Sequence, residues 1–296
     1  MNENDAIALY RSLWIECVEA TPYHYLSENT MEQRRVRNAP TYHAKASSSP
    51  HVLAMVDDLL RRTQTHESIR SVLEIGAGTG VFTIPLAKRV PRVTVIDPSP
   101  GMLGVLRHNL KLENLSNVEI IEGSWPRSFS GKRYDLVLAA NCLLAFYDLH
   151  EALSRMIQSA NRALCLINPM TPRPRPHDPE FRQRLKQIDR GPDTDSLHLL
   201  LGMLGTESVY PLVRIFSTPS WSYPDVGKLH DRWAEALNLE SEEEHAQLRS
   251  LLTENMRESE QGWTVPGISF HFLLWADLTV NDNAQPRRNN GKQGGP

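Results

Sequence analysis

Two carboxylates and three alternating glycines carry the chemistry that can be read from this chain. Residues 72–80 read Val-Leu-Glu-Ile-Gly-Ala-Gly-Thr-Gly, so Glu74 stands just before Gly76, Gly78 and Gly80. Glycine lets a turn take left-handed backbone angles and lets a ligand approach the main chain without a side-chain clash. Asp97 follows the next apolar run, residues 93–96. A carboxylate at a strand tip can accept from two vicinal hydroxyls, which is how such folds hold a ribose. Asp is also a common helix cap, but Ser99-Pro100 already supplies a cap and first-turn pair, which leaves Asp97 for another role.

The elements needed to position these residues follow from the apolar pattern. Short apolar runs end at Ile75, Ile96, Glu122, Ala140 and Asn168, and helical spacing separates them. Strands alternating with helices predict a doubly wound α/β fold with a mostly parallel sheet, whose ligand sits beyond the strands' C-terminal ends. Gly76–Gly80, Asp97, Gly123-Ser124-Trp125 and Asn141 all fall at such ends. A dinucleotide turn would need Gly-x-Gly-x-x-Gly, but its third glycine position holds Val81, which argues against a dehydrogenase.

The stretch from Glu74 to Gly80 resembles motif I of the class I S-adenosylmethionine-dependent methyltransferases, Glu-x-Gly-x-Gly-x-Gly. The resemblance covers roughly residues 40–170. It implies a seven-stranded sheet with the last strand antiparallel, and S-adenosylmethionine as cofactor with S-adenosylhomocysteine as product. It places Gly76, Ala77, Gly78, Thr79 and Gly80 against the methionine part and Glu74 near its ammonium end. Asp97 and Pro98 would sit at the ribose, and Met102 would pack on the adenine. Where many members have an Asp followed by a small residue, this chain has Gly123-Ser124, so the adenine edge would be met by a backbone amide or Ser124, with Trp125 beside it. Tyr134–Ala140 followed by Asn141 resembles motif IV, with Asp135 at the strand start.

The rest of the chain reads as additions to that core. The implied division is a helical lid over 1–60, the cofactor core over 61–170, completion of the sheet with helical insertions over 171–280, and a disordered tail over 281–296. Ala6, Tyr10, Leu13, Trp14 and Cys17 share one helical face; so do Val52, Met55, Val56, Leu59 and Leu60 after Ser49-Pro50. Between these helices runs a polar segment from Thr21 to Ser49 with Tyr23, His24, Tyr25, Tyr42 and His43, readable as a lid or as a solvated loop. The prolines of 169–179 read as an extended linker. Strands are expected at 210–216 and 268–275, with two helices between them, the second opened by a Ser241/Glu244 capping box.

Methyl transfer from a sulfonium needs alignment and desolvation more than it needs a catalytic signature. None is evident; Tyr42, His43 and Tyr147 are the candidates. Cys142 reads as a structural thiol, and His150 as a surface residue near a helix start. No metal-ligand spacing is present, and the three cysteines suggest a reducing cytoplasm. A formal charge of −3 gives no overall bias toward nucleic acid or an anionic membrane, and no run approaches a membrane span. No Asn-Pro-Pro-aromatic or Asp-Pro-Pro-aromatic tetrad follows the fourth strand. The leading expectation is transfer to a small molecule, with O, N, S or C acceptor open and a homodimer possible. RNA or protein methylation, motivated by basic runs at 34–37 and 173–190, and a non-catalytic cofactor-binding scaffold are the alternatives.

Overall fold

The computed structural model describes residues 3–19, 21, 24, 26–65, 69–170, 178–189, 196–219, 222–237, 239–260 and 262–279. The linker at 171–177, the tail from 281, Tyr23 and Tyr25 lie outside these residues. The strands are β1 (Ser71–Ile75), β2 (Arg92–Asp97), β3 (Val118–Glu122), β4 (Tyr134–Ala140), β5 (Ala160–Pro169), β6 (Leu212–Pro219), β7 (Arg257–Ser259), β8 (Gly262–Thr264) and β9 (Ile268–Asp277). Seven of them form one sheet in the order β3-β2-β1-β4-β5-β9-β6. The first five pair in parallel, and β9 runs antiparallel between β5 and β6. The predicted doubly wound α/β sheet with an antiparallel last strand is therefore present. The β7–β8 hairpin is an addition that the sequence pattern did not reveal.

The sheet is covered on both faces, which is why its strands read as near-continuous apolar runs rather than as alternation. Leu73 and Ile75 of β1 point to a core completed by Trp14 and Cys17 of α1 (Glu3–Glu19), Leu153 and Met156 of α6 (Leu149–Ser159), and Leu200 and Met203 of α8 (Ser196–Thr206). Val72, one residue away, points to the other core. That core contains Met55 and Leu59 of α3 (Pro50–Thr65), Ile84 and Leu86 of α4 (Thr83–Ala87), and Leu103 and Leu106 of α5 (Pro100–Leu112). Truncating a fully buried leucine such as Leu103 to alanine costs about 2–5 kcal/mol.

A third apolar cluster stands apart from the sheet. Phe181 and Leu185 of α7 (Pro179–Leu185), Leu229 and Trp233 of α9 (Val226–Leu237), and Leu248 and Leu252 of α10 (Glu242–Asn255) pack together, with the Phe181 and Trp233 rings stacked at 5.6 Å. The capping box of α10 forms as read: Glu244 N–H donates to Ser241 Oγ, and Ser241 N–H to Glu244 Oε2.

The segment before α3 is not a loop. Residues Glu28–Ser48 form a 21-residue helix, α2, capped by Ser27 and containing Pro40. Only Ala39 and Ala46 of α2 are buried, so it lacks the apolar stripe that marks a helix in sequence. No helix among the described residues is long and apolar enough to cross a membrane.

Candidate functional site

The glycine turn has the backbone that its composition suggested. Gly76, Gly78 and Gly80 have φ of 72°, 54° and 92°, and Gly76 N–H donates to Ile96 O across to β2 at 2.8 Å. A Cβ at Gly76 would lie 2.5 Å from Cys142 Cβ, so glycine is required there by packing as well as by angle. Cys142 Sγ in turn donates to Ile75 O at 3.2 Å, clamping the loop after β4 onto the end of β1. Burial pushes the Cys142 thiol pKa well up, consistent with a structural role. A Cβ at Gly78 would meet nothing within 4 Å, so the middle of the turn faces open space.

Asp97 couples β2 to this turn. Its Oδ2 accepts from Gly78 N–H and its Oδ1 from Ser99 N–H, both at 2.9 Å. Ser99 Oγ accepts from Met102 N–H at 3.2 Å, which completes the expected cap of α5. Asp97 is 7 % exposed, and burial raises its pKa against the lowering effect of the two amides. Each oxygen keeps a further lone pair for another donor.

Glu74 differs from its expected place. It is fully buried, and Thr83 Oγ1 donates to its Oε2 at 2.6 Å. Burial, opposed by that bond and reinforced by Asp97, raises its pKa to about 8, so at neutral pH it is largely uncharged. It ties β1 to α4 rather than presenting a charge to the turn's open side.

Thr79 is buried; its Oγ1 lies 3.1 Å from His43 Nδ1, and its carbonyl accepts from Asn109 Nδ2 at 3.1 Å. His43, from α2, thus reaches the glycine turn, and burial lowers its pKa, favouring the neutral ring. Tyr42 packs instead against the α3–α5 core. Tyr147 is turned away: its hydroxyl donates to Glu19 Oε1 at 3.1 Å, and its ring stacks on His24 at 6.0 Å. Ala77 is buried, Met102 is half-buried at the start of α5, and Pro98 is exposed.

Trp125 was expected beside the ligand, but its indole lies in the core. Nε1 donates to Ala152 O at 3.2 Å, and the ring packs on Phe129 at 4.9 Å. Apolar burial outweighed position in the loop. Gly123 N–H donates to Asp97 O, and Ser124, exposed, gives its N–H to Ser128 Oγ. Asn141 has φ of 56° and donates its N–H to Ile167 O; its buried Oδ1 finds no hydrogen-bond partner among the described residues. Asp135 lies at the opposite end of the sheet and accepts from Arg70 N–H, Ser71 N–H and Ser71 Oγ. His150, in the first turn of α6, lies 3.6 Å from Glu207, and the cap of that helix is Asp148. No cluster of three metal-ligating side chains occurs among the described residues.

Sequence reasoning missed two residues of the site's roof. Glu32 Oε1 of α2 accepts from Gly101 N–H at 2.9 Å, and a Cβ on Gly101 would lie 2.3 Å from Val36 Cγ2. The available signal was a glycine in the first turn of α5, which costs helix stability unless something must approach closely.

Residues 72–165 match a family model described as a methyltransferase domain. Over 98 residues the chain is 30% identical to a release factor glutamine methyltransferase of Xylella fastidiosa, covering 32% of this chain and 35% of the relative. Over 144 residues it is 24% identical to a malonyl-[acyl-carrier protein] O-methyltransferase of Priestia megaterium, covering 48% and 51%. The chain thus spans about a third and about half of the lengths of these curated relatives. The N-methyltransferase NodS of Bradyrhizobium japonicum, solved with S-adenosyl-L-homocysteine, shares the fold at a TM-score of 0.51 with 15% identity, over 84% of this chain and 96% of NodS. Residues 72–165 thus match a methyltransferase domain, and the seven-stranded sheet has the fold of the class I S-adenosylmethionine-dependent methyltransferases.

Proposed function

We propose that this chain is an S-adenosylmethionine-dependent methyltransferase with a small-molecule acceptor. The observation that carries this reading is the convergence of Gly78, Asp97 and Asn141 at the C-terminal ends of the adjacent strands β1, β2 and β4. The residues fit the cofactor: the turn is open over Gly78, Asp97 retains acceptor capacity, and Asn141 Oδ1 is a buried acceptor without a donor among the described residues. In this reading the backbone of Gly76–Gly80 lies along the methionine part. Asp97 accepts from the ribose hydroxyls, Asn141 Oδ1 from an N–H of the amino-acid end, and Met102 with Gly123 and Ser124 bounds the adenine.

The bound cofactor supplies a methyl group already activated by its sulfonium. What the chain itself must do is orient that group and exclude water. Helix α2 is placed to exclude water, because His43 rests on Thr79, and Glu32 and Val36 rest on Gly101. Neutral His43 can also take a proton from an acceptor, which makes it the best-placed of the three candidate bases.

A small acceptor is favoured because α2 also leans on the helical insertion. Arg34 pairs with Glu235, and a cavity of about 270 Å3 lies between the two, bounded by Leu26, Ala234, Leu239 and His245. A helix braced across the turn in this way suits a small acceptor better than a polymer.

Titration calorimetry with S-adenosylmethionine and S-adenosylhomocysteine, repeated on Asp97→Ala, tests the cofactor site. Micromolar binding that the variant loses is expected; no binding by folded wild-type protein contradicts it. Methyl transfer from labelled cofactor into a metabolite fraction, and not into RNA or protein, is the expected acceptor result. Label confined to RNA or protein would refute the small-molecule assignment.

A further inference from the structure

Away from the glycine turn, α3 and β6 border an open cavity of about 380 Å3 whose wall includes Arg61, Gln64, Arg89 and Arg214. None of the residues assigned to the cofactor lines it. Its volume falls within the range of small-ligand sites, about 300–1,000 Å3.

The charge on this wall is organised from behind. Asp58 is 4 % exposed, and its Oδ1 lies 3.2 Å from both Arg61 Nη2 and Arg214 Nη1, while its Oδ2 accepts from Arg62 Nε at 2.8 Å. One carboxylate offers about four acceptor sites, against about ten N–H donors on the Arg61 and Arg214 guanidiniums alone. It therefore holds Arg61 and Arg214 in place without saturating them. Arg89 has no carboxylate partner within ion-pair distance among the described residues, and the wall carries one acid, Asp57. Positive charge remains in surplus after Asp57 and Asp58 are counted.

The wall is not uniformly polar. Leu60 and Phe216 contribute an apolar part, and the Arg214 guanidinium lies 5.8 Å from the Phe216 ring centroid. Guanidiniums match phosphate oxygens in bidentate geometry, and an aromatic ring offers a face for a planar group. We infer that this cavity binds a small phosphorylated organic molecule, of the class of nucleoside phosphates, at a site separate from the cofactor's. The inference does not depend on the methyltransferase reading.

The test is calorimetry and thermal unfolding of the full chain with inorganic phosphate, pyrophosphate, ADP and adenosine at matched ionic strength, with saturating S-adenosylhomocysteine present. ADP is expected to bind saturably and more tightly than phosphate, and adenosine not to bind. Arg89 is exposed, so Arg89→Ala removes charge without opening the core. It should weaken ADP about tenfold, as loss of one charge-assisted contact does, and leave S-adenosylhomocysteine affinity unchanged. Displacement of ADP by S-adenosylhomocysteine would assign the signal to the ribose site and overturn the proposal. Equal binding by Arg89→Ala, or weak unsaturable response to phosphate alone, would mean an adventitious ion only. Much tighter, steeply salt-dependent binding of tRNA would assign the arginines to a polyanion surface and likewise overturn it.

Discussion

The two ends of the central strands use a carboxylate in opposite ways. At the start of β4, Asp135 takes three donors from the start of β1, two of them backbone amides and the third the Ser71 hydroxyl. At the end of β2, Asp97 takes only two, both amides, and stands beside an open turn and an Asn141 Oδ1 that lacks a donor among the described residues. The first group fastens two strands together. The second is itself held in place while still having acceptor capacity to offer, which is what distinguishes a binding group from a structural one.

The largest effect should come from separating these roles by mutation. Asp97→Ala is expected to weaken cofactor binding about 100-fold, since two charge-assisted hydrogen bonds of about 1.5 kcal/mol each are lost. Asp135→Ala should leave affinity within about twofold and instead lower unfolding free energy by about 3 kcal/mol, read from urea midpoints. If both variants lost affinity equally, the division between the ends would fail.

The turn itself supplies a sharper comparison. Gly76→Ala places a Cβ 2.5 Å from that of Cys142 at φ 72°, so it should destabilise by about 2–4 kcal/mol. Gly78→Ala meets no atom and bears only the backbone strain, about 1–2 kcal/mol, but its methyl enters the space assigned to the ligand. Gly78→Ala should therefore be the more stable protein and the poorer cofactor binder, which calorimetry and denaturation on both variants would show.

Glu74 predicts a pH effect. Its folded-state pKa of about 8 lies above its ordinary value of 4.5, so the folded chain holds the proton more tightly. Its contribution is full below about pH 4.5 and is lost as pH rises through about 8. Wild-type stability should fall between about pH 5 and 8.5 more steeply than that of Glu74→Gln, measured by denaturation at each pH. Parallel slopes would exclude Glu74 as the titrating group.

The smallest effect is expected at the roof. His43→Ala removes the contact to Thr79 and should speed cofactor dissociation about threefold, with little change in folding stability. Stopped-flow release rates identical to wild type would remove α2 from a closing role.

The strand–turn–helix core was legible because its signals are local. Apolar runs of strand length, glycines at alternate positions, and the Ser99-Pro100 cap each act within a few residues. The long helix α2 was not legible, since its stability comes from contacts with Gly101 and Thr79 rather than from an apolar stripe. The burial of Trp125 was not legible for the same kind of reason: a loop position says nothing about which way a large ring turns once a core is available.

By itself, then, the sequence determined the sheet, the left-handed glycine turn and the carboxylate at its side, because backbone sterics and strand periodicity act over short spans. Only the tertiary structure decided that Glu74 is buried with its pKa raised, that His43 rather than Tyr42 or Tyr147 reaches the turn, and that Arg61, Arg89 and Arg214 share one cavity. Burial and long-range juxtaposition are properties of the packed chain, and no local pattern encodes them.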